Sequence, residues 1–401
     1  MKIKKRNEIL YYVSTTLYNT ALIVASGAVL QTFMLEVGIN ENSVAQMISI
    51  FQAVQSAAMI IFSGLLDKVQ KVIRVTAFCM LNLLPLLITM LFFSMFDGFK
   101  ESANVTILIM GCISNILLGI YNVISYKLPY HIMRMDEYGK ISACSGVLYG
   151  GTGIAASIAM TYFLGKYEYF NTMKIILFVS ICMTIIACII ALKYVKISDN
   201  ISKKEKNKIN IFKYEPFLKL IIPNFTRGVG MGIIGVTVTI GYYFKIIDKL
   251  IGSYIVVITN IAIILSCLLY SRIAKRGRNG GIIIISSIVV FVFTSLMMVG
   301  NSTRMFLICY SIAYFAVYLI MLAVPVVVTE LIDYQVIGQY TAWRMMLFTV
   351  GVSVGGFLSI PMSEKFGGIV TFACSGLMFL ITGIGYFTYE QKNKKCIRER
   401  V

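Results

Sequence analysis

The sequence predicts an all-α polytopic membrane protein with about twelve transmembrane helices in two pseudo-symmetric six-helix bundles. Composition is the first observation behind this. Of the 401 residues, 58% are hydrophobic and only 13% are charged, whereas soluble domains carry about 45–50% apolar and about 25% charged residues. The mean hydropathy is +0.82. The second observation is a series of apolar runs bounded by charges, with one long hydrophilic connection at the midpoint. The third is that the two halves echo each other. Strict polar–apolar alternation is absent, which argues against a lipid-facing β-barrel.

The apolar runs place spans near residues 9–35, 42–66, 72–96, 103–130, 140–165 and 171–194, then 217–243, 250–271, 281–300, 304–329, 337–362 and 368–389. Each is long enough to cross a ~30 Å hydrocarbon core. The first follows a basic patch, Met1 to Arg6, and is too long for a signal peptide. The long connection, 195–216, reads VKISDNISKKEKNKINIFKYEP. It separates an N-terminal bundle, 1–194, from a C-terminal bundle with its tail, 217–401.

The net charge of +18 comes from 36 Lys and Arg against 18 Asp and Glu. In a soluble protein such an excess would suggest nucleic acid; here it sits in loops, so topology explains it and no nucleic-acid partner is expected. With the N-terminus in the cytoplasm, 27 basic residues fall on the inner side and 7 on the outer, while Arg227 and Arg344 lie within spans. The positive-inside rule then places both termini and the central loop in the cytoplasm of a protein of the cell membrane. Eight of the nine cysteines lie in apolar runs without metal spacing, and His131 is the only histidine. No metal site or cofactor is expected. Walker, GxSxG and HExxH signatures are missing, so no enzyme is expected.

The internal echo is legible residue by residue. LPYHIMRMDEYGKISACSGVLYGGTG (Leu128 to Gly153) resembles VPVVVTELIDYQVIGQYTAWRMMLFTVGV (Val324 to Val352). Pro129 matches Pro325 at an offset of 196, and YGKISA matches IGQYTA at 199. Placing span 1 on span 7 requires an offset of about 208, which pairs Asn19 with Arg227. Together these matches support two parallel six-helix repeats.

Six plus six spans, cytoplasmic ends, a basic central loop and an acid–base pair in loop 2–3 together resemble the major facilitator superfamily over essentially the whole chain. The family's loop 2–3 signature stands here as SGLLDKVQK, Ser63 to Lys71, in which Asp67 and Lys68 fit while Ser63 and Gln70 replace the usual glycines. The second copy, SRIAKRGR, has lost its acid. The resemblance implies a cytoplasmic gate of Asp67 and Lys68, with Glu330 as acidic partner of Lys275 and Arg276. The plainer reading is topology-setting charges worth ~0–1 kcal/mol per exposed pair.

The family lines its central cavity with spans 1, 4, 7 and 10. Polar stripes lie on those spans: Asn19 on span 1; Asn115, Asn122 and Tyr126 on span 4; Arg227 on span 7; and Tyr310, Tyr314 and Tyr318 on span 10. Gln52 and Gln55 add to them from span 2. These are the expected substrate-cavity residues; interhelical hydrogen bonding without a ligand is the alternative. Glycines cluster in span 5 (Gly146, Gly150, Gly151, Gly153) and span 11 (Gly351, Gly355, Gly356), where helix packing is the expected role.

Arg227 lies ten residues into span 7, ~15 Å deep. A midplane arginine facing lipid costs at least ~2.5–3.5 kcal/mol, so it is expected to face the bundle interior. Either it anchors an anionic or strongly hydrogen-bond-accepting solute, or it is a structural arginine satisfied by helix carbonyls and Asn224. Arg344, ~10 Å into span 11, is placed to snorkel toward the inner interface. No Asp or Glu lies deep within a span, and Glu330, at a span end, is the expected site if protons drive transport. The expected function is alternating-access transport of a small solute, with a coupling ion where transport is ion-driven and membrane lipid as the surrounding partner. The alternative is a non-transporting sensor or assembly partner.

Overall fold

The computed structural model describes residues 2–66, 69, 71–96, 102–125, 128–132, 135–196, 215–247, 249–274, 278–300, 302–331 and 337–399. Among them the regular structure is entirely helical. The chain divides into two compact units: Met1–Lys204 with Lys249–Val257, and Glu205–Asp248 with Ile258–Val401.

The first unit begins with α1 (Lys2–Val24) and α2 (Gly27–Glu36), which together make one crossing. It continues through α3 (Glu41–Leu66), then α4 (Val72–Cys79) joined to α5 (Leu84–Met95) by a 3₁₀ turn at Met80–Leu83. Next come α6 (Ala103–Ser125), the short α7 (Leu128–Ile132), α8 (Met135–Lys166) and α9 (Tyr169–Leu192). The second unit contains α10 (Glu215–Gly235), α11 (Thr237–Tyr243), most of α12 (Lys249–Ile273), α13 (Asn279–Leu296), α14 (Thr303–Leu331) and α15 (Ile337–Glu399).

Eleven stretches among the described residues are long and apolar enough to cross a membrane. The last, Trp343–Asn393, spans 51 residues and turns sharply at Gly367, whose φ of 83° and ψ of 161° belong to glycine. It therefore holds two crossings, which makes twelve. Large apolar side chains such as Phe78, Ile175, Ile222 and Ile285 are exposed on the outside, as a lipid-facing exterior requires and a water-facing one does not tolerate in such density.

Two expected spans are broken rather than continuous. Span 1 breaks at Ala25 and Ser26, where Gly27 has φ 57° and the Ser26 hydroxyl turns back to the Leu22 carbonyl at 2.6 Å. Span 7 breaks at Val236, where the Thr237 hydroxyl donates to the Ile234 carbonyl at 2.5 Å. The breaks, at Ala25–Ser26 and at Val236, stand 210–211 residues apart, close to the repeat offset of about 208, so the two units break equivalent helices within a turn of the same place. Periodicity carried no sign of this, because the residues on either side of each break are equally apolar.

Within the first unit, fully buried Asn7 joins three segments. Its amide donates to the carbonyls of Ile132 (2.9 Å) and Val195 (2.7 Å) and accepts from the Val195 N–H (3.1 Å). Ser14 and Tyr194 share a 2.5 Å hydrogen bond about two turns further along. Tyr18, Phe33, Met90, Phe93 and Leu177 fill the core between them. In the second unit, α10 and the second half of α15 meet through a polar seam. The Tyr386 hydroxyl donates to Asn224 Oδ1 at 2.7 Å, and the Thr226 and Thr382 hydroxyls lie 2.9 Å apart.

Candidate functional site

The helix that carries Arg227 is pressed against its neighbours by glycine. On α10, a Cβ at Gly228 would overlap the Phe348 carbonyl oxygen, and one at Gly232 would overlap that of Val352. From the facing side, a Cβ at Gly351 or Gly355 would strike the carbonyls of Phe225 and Val229. The span 11 glycines therefore serve backbone-to-backbone packing. The span 5 cluster is different at Gly151, where an added Cβ would meet open space.

This contact sets the position of the Arg227 side chain. Arg227 is 2% exposed, facing inward as its depth demands. Its guanidinium carbon lies 4.6 Å from the centre of the Phe348 ring, a cation–π contact worth about 2 kcal/mol or more when desolvated. The surrounding groups come from α10 and α15: Arg344, Tyr340 and Tyr386 lie within electrostatic reach. Among the described residues no group accepts a hydrogen bond from Arg227 Nε. Asn224 does not take that role; its Nδ2 donates to the Leu220 carbonyl at 2.7 Å and its Oδ1 accepts from Tyr386. Of the two partners in the structural reading, helix carbonyls and Asn224, the Asn224 side chain is therefore committed elsewhere.

Arg344 also departs from expectation. It does not snorkel: it is 7% exposed, its Nε has no protein acceptor, and its Nη2 approaches Met345 Sδ at 3.9 Å. Packing of the glycine-lined face of α15 against α10 turns this side chain inward, which depth counting along one helix cannot reveal.

The other expected cavity residues are distributed over both units. In the first, Asn19, Gln52, Asn115 and Asn122 are half-buried and Gln55 is buried. Asn115 donates to the Gly111 carbonyl of its own helix at 2.8 Å. Spans 2 and 4 are drawn together at Gly119, where a Cβ would lie 2.6 Å from the Gln55 carbonyl oxygen, and at Gly111, which faces the Phe51 ring. In the second unit, Tyr314 and Tyr318 are half-buried on α14. Tyr310 packs against Tyr314 with centroids 5.5 Å apart and its hydroxyl lies 3.3 Å from that of Thr259 on α12. Tyr126, Asp67, Lys68, Lys275 and Arg276 lie outside the described residues, as does the side chain of Glu330.

Sequence reasoning also missed Glu390. The expected span 12 stopped at residue 389, yet Glu390 is fully buried and its Oε1 accepts from the Gly280 N–H at 2.9 Å. It sits at the positive N-terminal end of α13, where a carboxylate is favoured. A Cβ at Gly280 would lie 2.8 Å from Glu390 Oε2. The GG pair opening span 9 was the available signal. Glu390→Gln keeps an acceptor and is expected to cost less than Glu390→Ala, which loses a charged hydrogen bond worth about 1.5–3 kcal/mol. Thermal unfolding of the detergent-solubilised chain should rank wild type above Gln above Ala; three equal midpoints would contradict this capping role.

Comparison with known proteins bears on the fold and the family. The chain matches the Major Facilitator Superfamily model over residues 10–307. No curated protein sequence matches it. Among solved structures, a nucleoside transporter, NupG, is 17% identical with a TM-score of 0.63, covering 98% of this chain and 99% of that one. A D-xylose–proton symporter is 11% identical with a TM-score of 0.66, covering 97% of each chain. A bacterial homologue of the iron transporter ferroportin, in an inward-facing state, is 12% identical with a TM-score of 0.67, covering 97% and 98%. At these identities the structures establish the shared fold, and the family model supplies the rest: this chain belongs to the major facilitator superfamily, as a secondary transporter of a small solute.

Proposed function

We propose that this transporter carries an anionic or strongly hydrogen-bond-accepting solute across the cell membrane, with Arg227 as its anchor and with both termini and the central loop in the cytoplasm. The observation that carries the reading is a deeply placed, 98%-buried arginine whose Nε meets no protein acceptor. Burying an uncompensated charge costs several kcal/mol, and a solute that supplies the acceptor offsets that cost whenever it binds. Asn19, Gln52, Gln55, Asn115, Asn122, Tyr126, Tyr314 and Tyr318 are the polar groups proposed to complete the cavity in an alternating-access cycle. The family is one of transporters and generally not of enzymes.

The proposed inner gate is Asp67 and Lys68 with Lys275, Arg276 and Glu330, carried over from the family's loop 2–3 pattern. Glu330 is also the proposed proton site if coupling is to protons. Asp67→Asn removes a charge that the inner ends must pair and release. It is expected to slow flux several-fold with unchanged expression; wild-type flux in that variant would reduce Asp67 to a topology signal. Reporter fusions after Arg74, Ser202 and Arg278 are expected to read cytoplasm and one after Asp97 the exterior. A reversed reading at Ser202 would break the six-plus-six orientation.

A further inference from the structure

Arg344 was not among the residues expected to touch solute, and its surroundings call for an explanation. Two arginines on neighbouring segments of the second unit, one on α10 and one on α15, are 2% and 7% exposed. They lie within electrostatic reach of each other, so their like charges repel. Neither Nε has a protein acceptor, and among the described residues neither guanidinium forms an ion pair. The Phe348 ring centre lies 4.6 Å from the Arg227 guanidinium carbon, a contact that uses none of the in-plane N–H donors. The Tyr386 hydroxyl nearby is committed to Asn224. Two like charges buried within reach of each other, with no carboxylate paired to them among the described residues, bear a desolvation cost twice and add repulsion to it.

We infer that Arg227 and Arg344 form a two-armed oxyanion clamp within the second unit, so that the transported solute carries a carboxylate, phosphate or sulfate group. This rests on the reading of Arg227 as the solute anchor given above. A guanidinium presents its donors in a rigid planar fork that matches oxyanions two bonds at a time. Two forks close together accept an anion with several oxygens, and the anion cancels their mutual repulsion. A halide offers one atom to both forks where a polyatomic oxyanion offers a separate oxygen to each donor, and a neutral solute cannot cancel the charge. Arg344 is thus a specificity-determining residue: it distinguishes an oxyanion from a neutral hydrogen-bond acceptor, which Arg227 alone would also hold.

The test uses the full chain purified in detergent and follows thermal unfolding while sodium phosphate, sulfate or succinate replaces sodium chloride at constant ionic strength. At least one of the three is expected to raise the midpoint saturably. Arg344→Lys keeps the charge but loses the fork, and is expected to weaken the apparent affinity about tenfold or more. The double variant Arg227→Gln/Arg344→Gln is expected to lose the response while unfolding, without added anion, at the wild-type temperature or above. Circular dichroism and gel filtration show that the variants are folded. Equal stabilisation of wild type and the double variant, or no stabilisation by any of the three anions, would overturn the clamp.

A lipid headgroup offers the same chemistry, so the titration is repeated in nanodiscs of phosphatidylglycerol and of phosphatidylcholine. An equal response in both assigns the clamp to solute. A response present in phosphatidylcholine and lost in phosphatidylglycerol assigns it to lipid and overturns the solute assignment. Flux in proteoliposomes separates this inference from the reading beneath it. Neutral-solute flux that persists in the double variant would leave transport standing and remove the clamp. Anion binding with no flux of any solute would retain the clamp and remove its role in transport.

Discussion

Gly228→Val is expected to abolish accumulation of folded protein. The added Cβ would overlap the Phe348 carbonyl oxygen and lie 2.9 Å from Gly351 Cα. Both obstacles are backbone, which cannot rotate away as a flexible side chain can. Overpacking an ordinary core costs about 1–3 kcal/mol because side chains yield; here α10 and α15 must separate along their glycine contact, so the cost should exceed about 4 kcal/mol. Even Gly228→Ala should lower the unfolding temperature measurably. Gly151→Ala is the matched control: it meets open space, and alanine is favoured over glycine inside a helix by about 0.5–1 kcal/mol. Membrane-inserted yield and gel filtration of the three variants should separate sharply. A folded Gly228→Val protein with the wild-type midpoint would mean that these helices do not touch as described.

The Arg227 series carries the second large effect, in affinity rather than in folding. Lys retains charge without the planar fork, Gln retains hydrogen bonding without charge, and Ala retains neither. Loss of hydrogen bonds from a charged donor is worth about 1.5–3 kcal/mol, or roughly 10–150-fold in solute affinity, and the loss is expected to grow from Lys to Ala. Stability should move the other way. Arg227 Nε has no protein acceptor, so neutralising the residue with Gln removes an uncompensated buried charge and is expected to raise the unfolding temperature without solute. A structural arginine behaves oppositely: all three variants would lose folding equally while any remaining folded protein bound solute normally.

How far the sequence reaches follows from which signals lie along one chain segment. Span positions were legible because hydropathy and loop charge are properties of contiguous residues. The break near Gly367 fell in the gap expected between 362 and 368. The breaks at Gly27 and Val236 were not legible, since both sides of each are apolar and the repeat match shows equivalence without shape. The inward depth of Arg227 could be counted from one helix. The inward turn of Arg344 and the burial of Glu390 could not, because each depends on a neighbouring helix: α10 for the first, the Gly280 end of α13 for the second. The tyrosine stripe on α14 shows the converse. Its spacing is a property of one helix, but the contact of Tyr310 with Thr259 on α12 is invisible to spacing.

Solute counterflow in proteoliposomes tests the central claim most directly. Vesicles containing the full chain are preloaded with one unlabelled solute, diluted into its trace labelled form, and compared across anionic and neutral solutes. Without ATP or an imposed ion gradient, an alternating-access carrier anchored on Arg227 should accumulate the labelled anion transiently, saturably and only when the matching solute is inside, and Arg227→Ala should suppress the overshoot. Exchange that rises linearly with concentration, or a neutral-solute overshoot that survives Arg227→Ala while every anion stays inert, would contradict it.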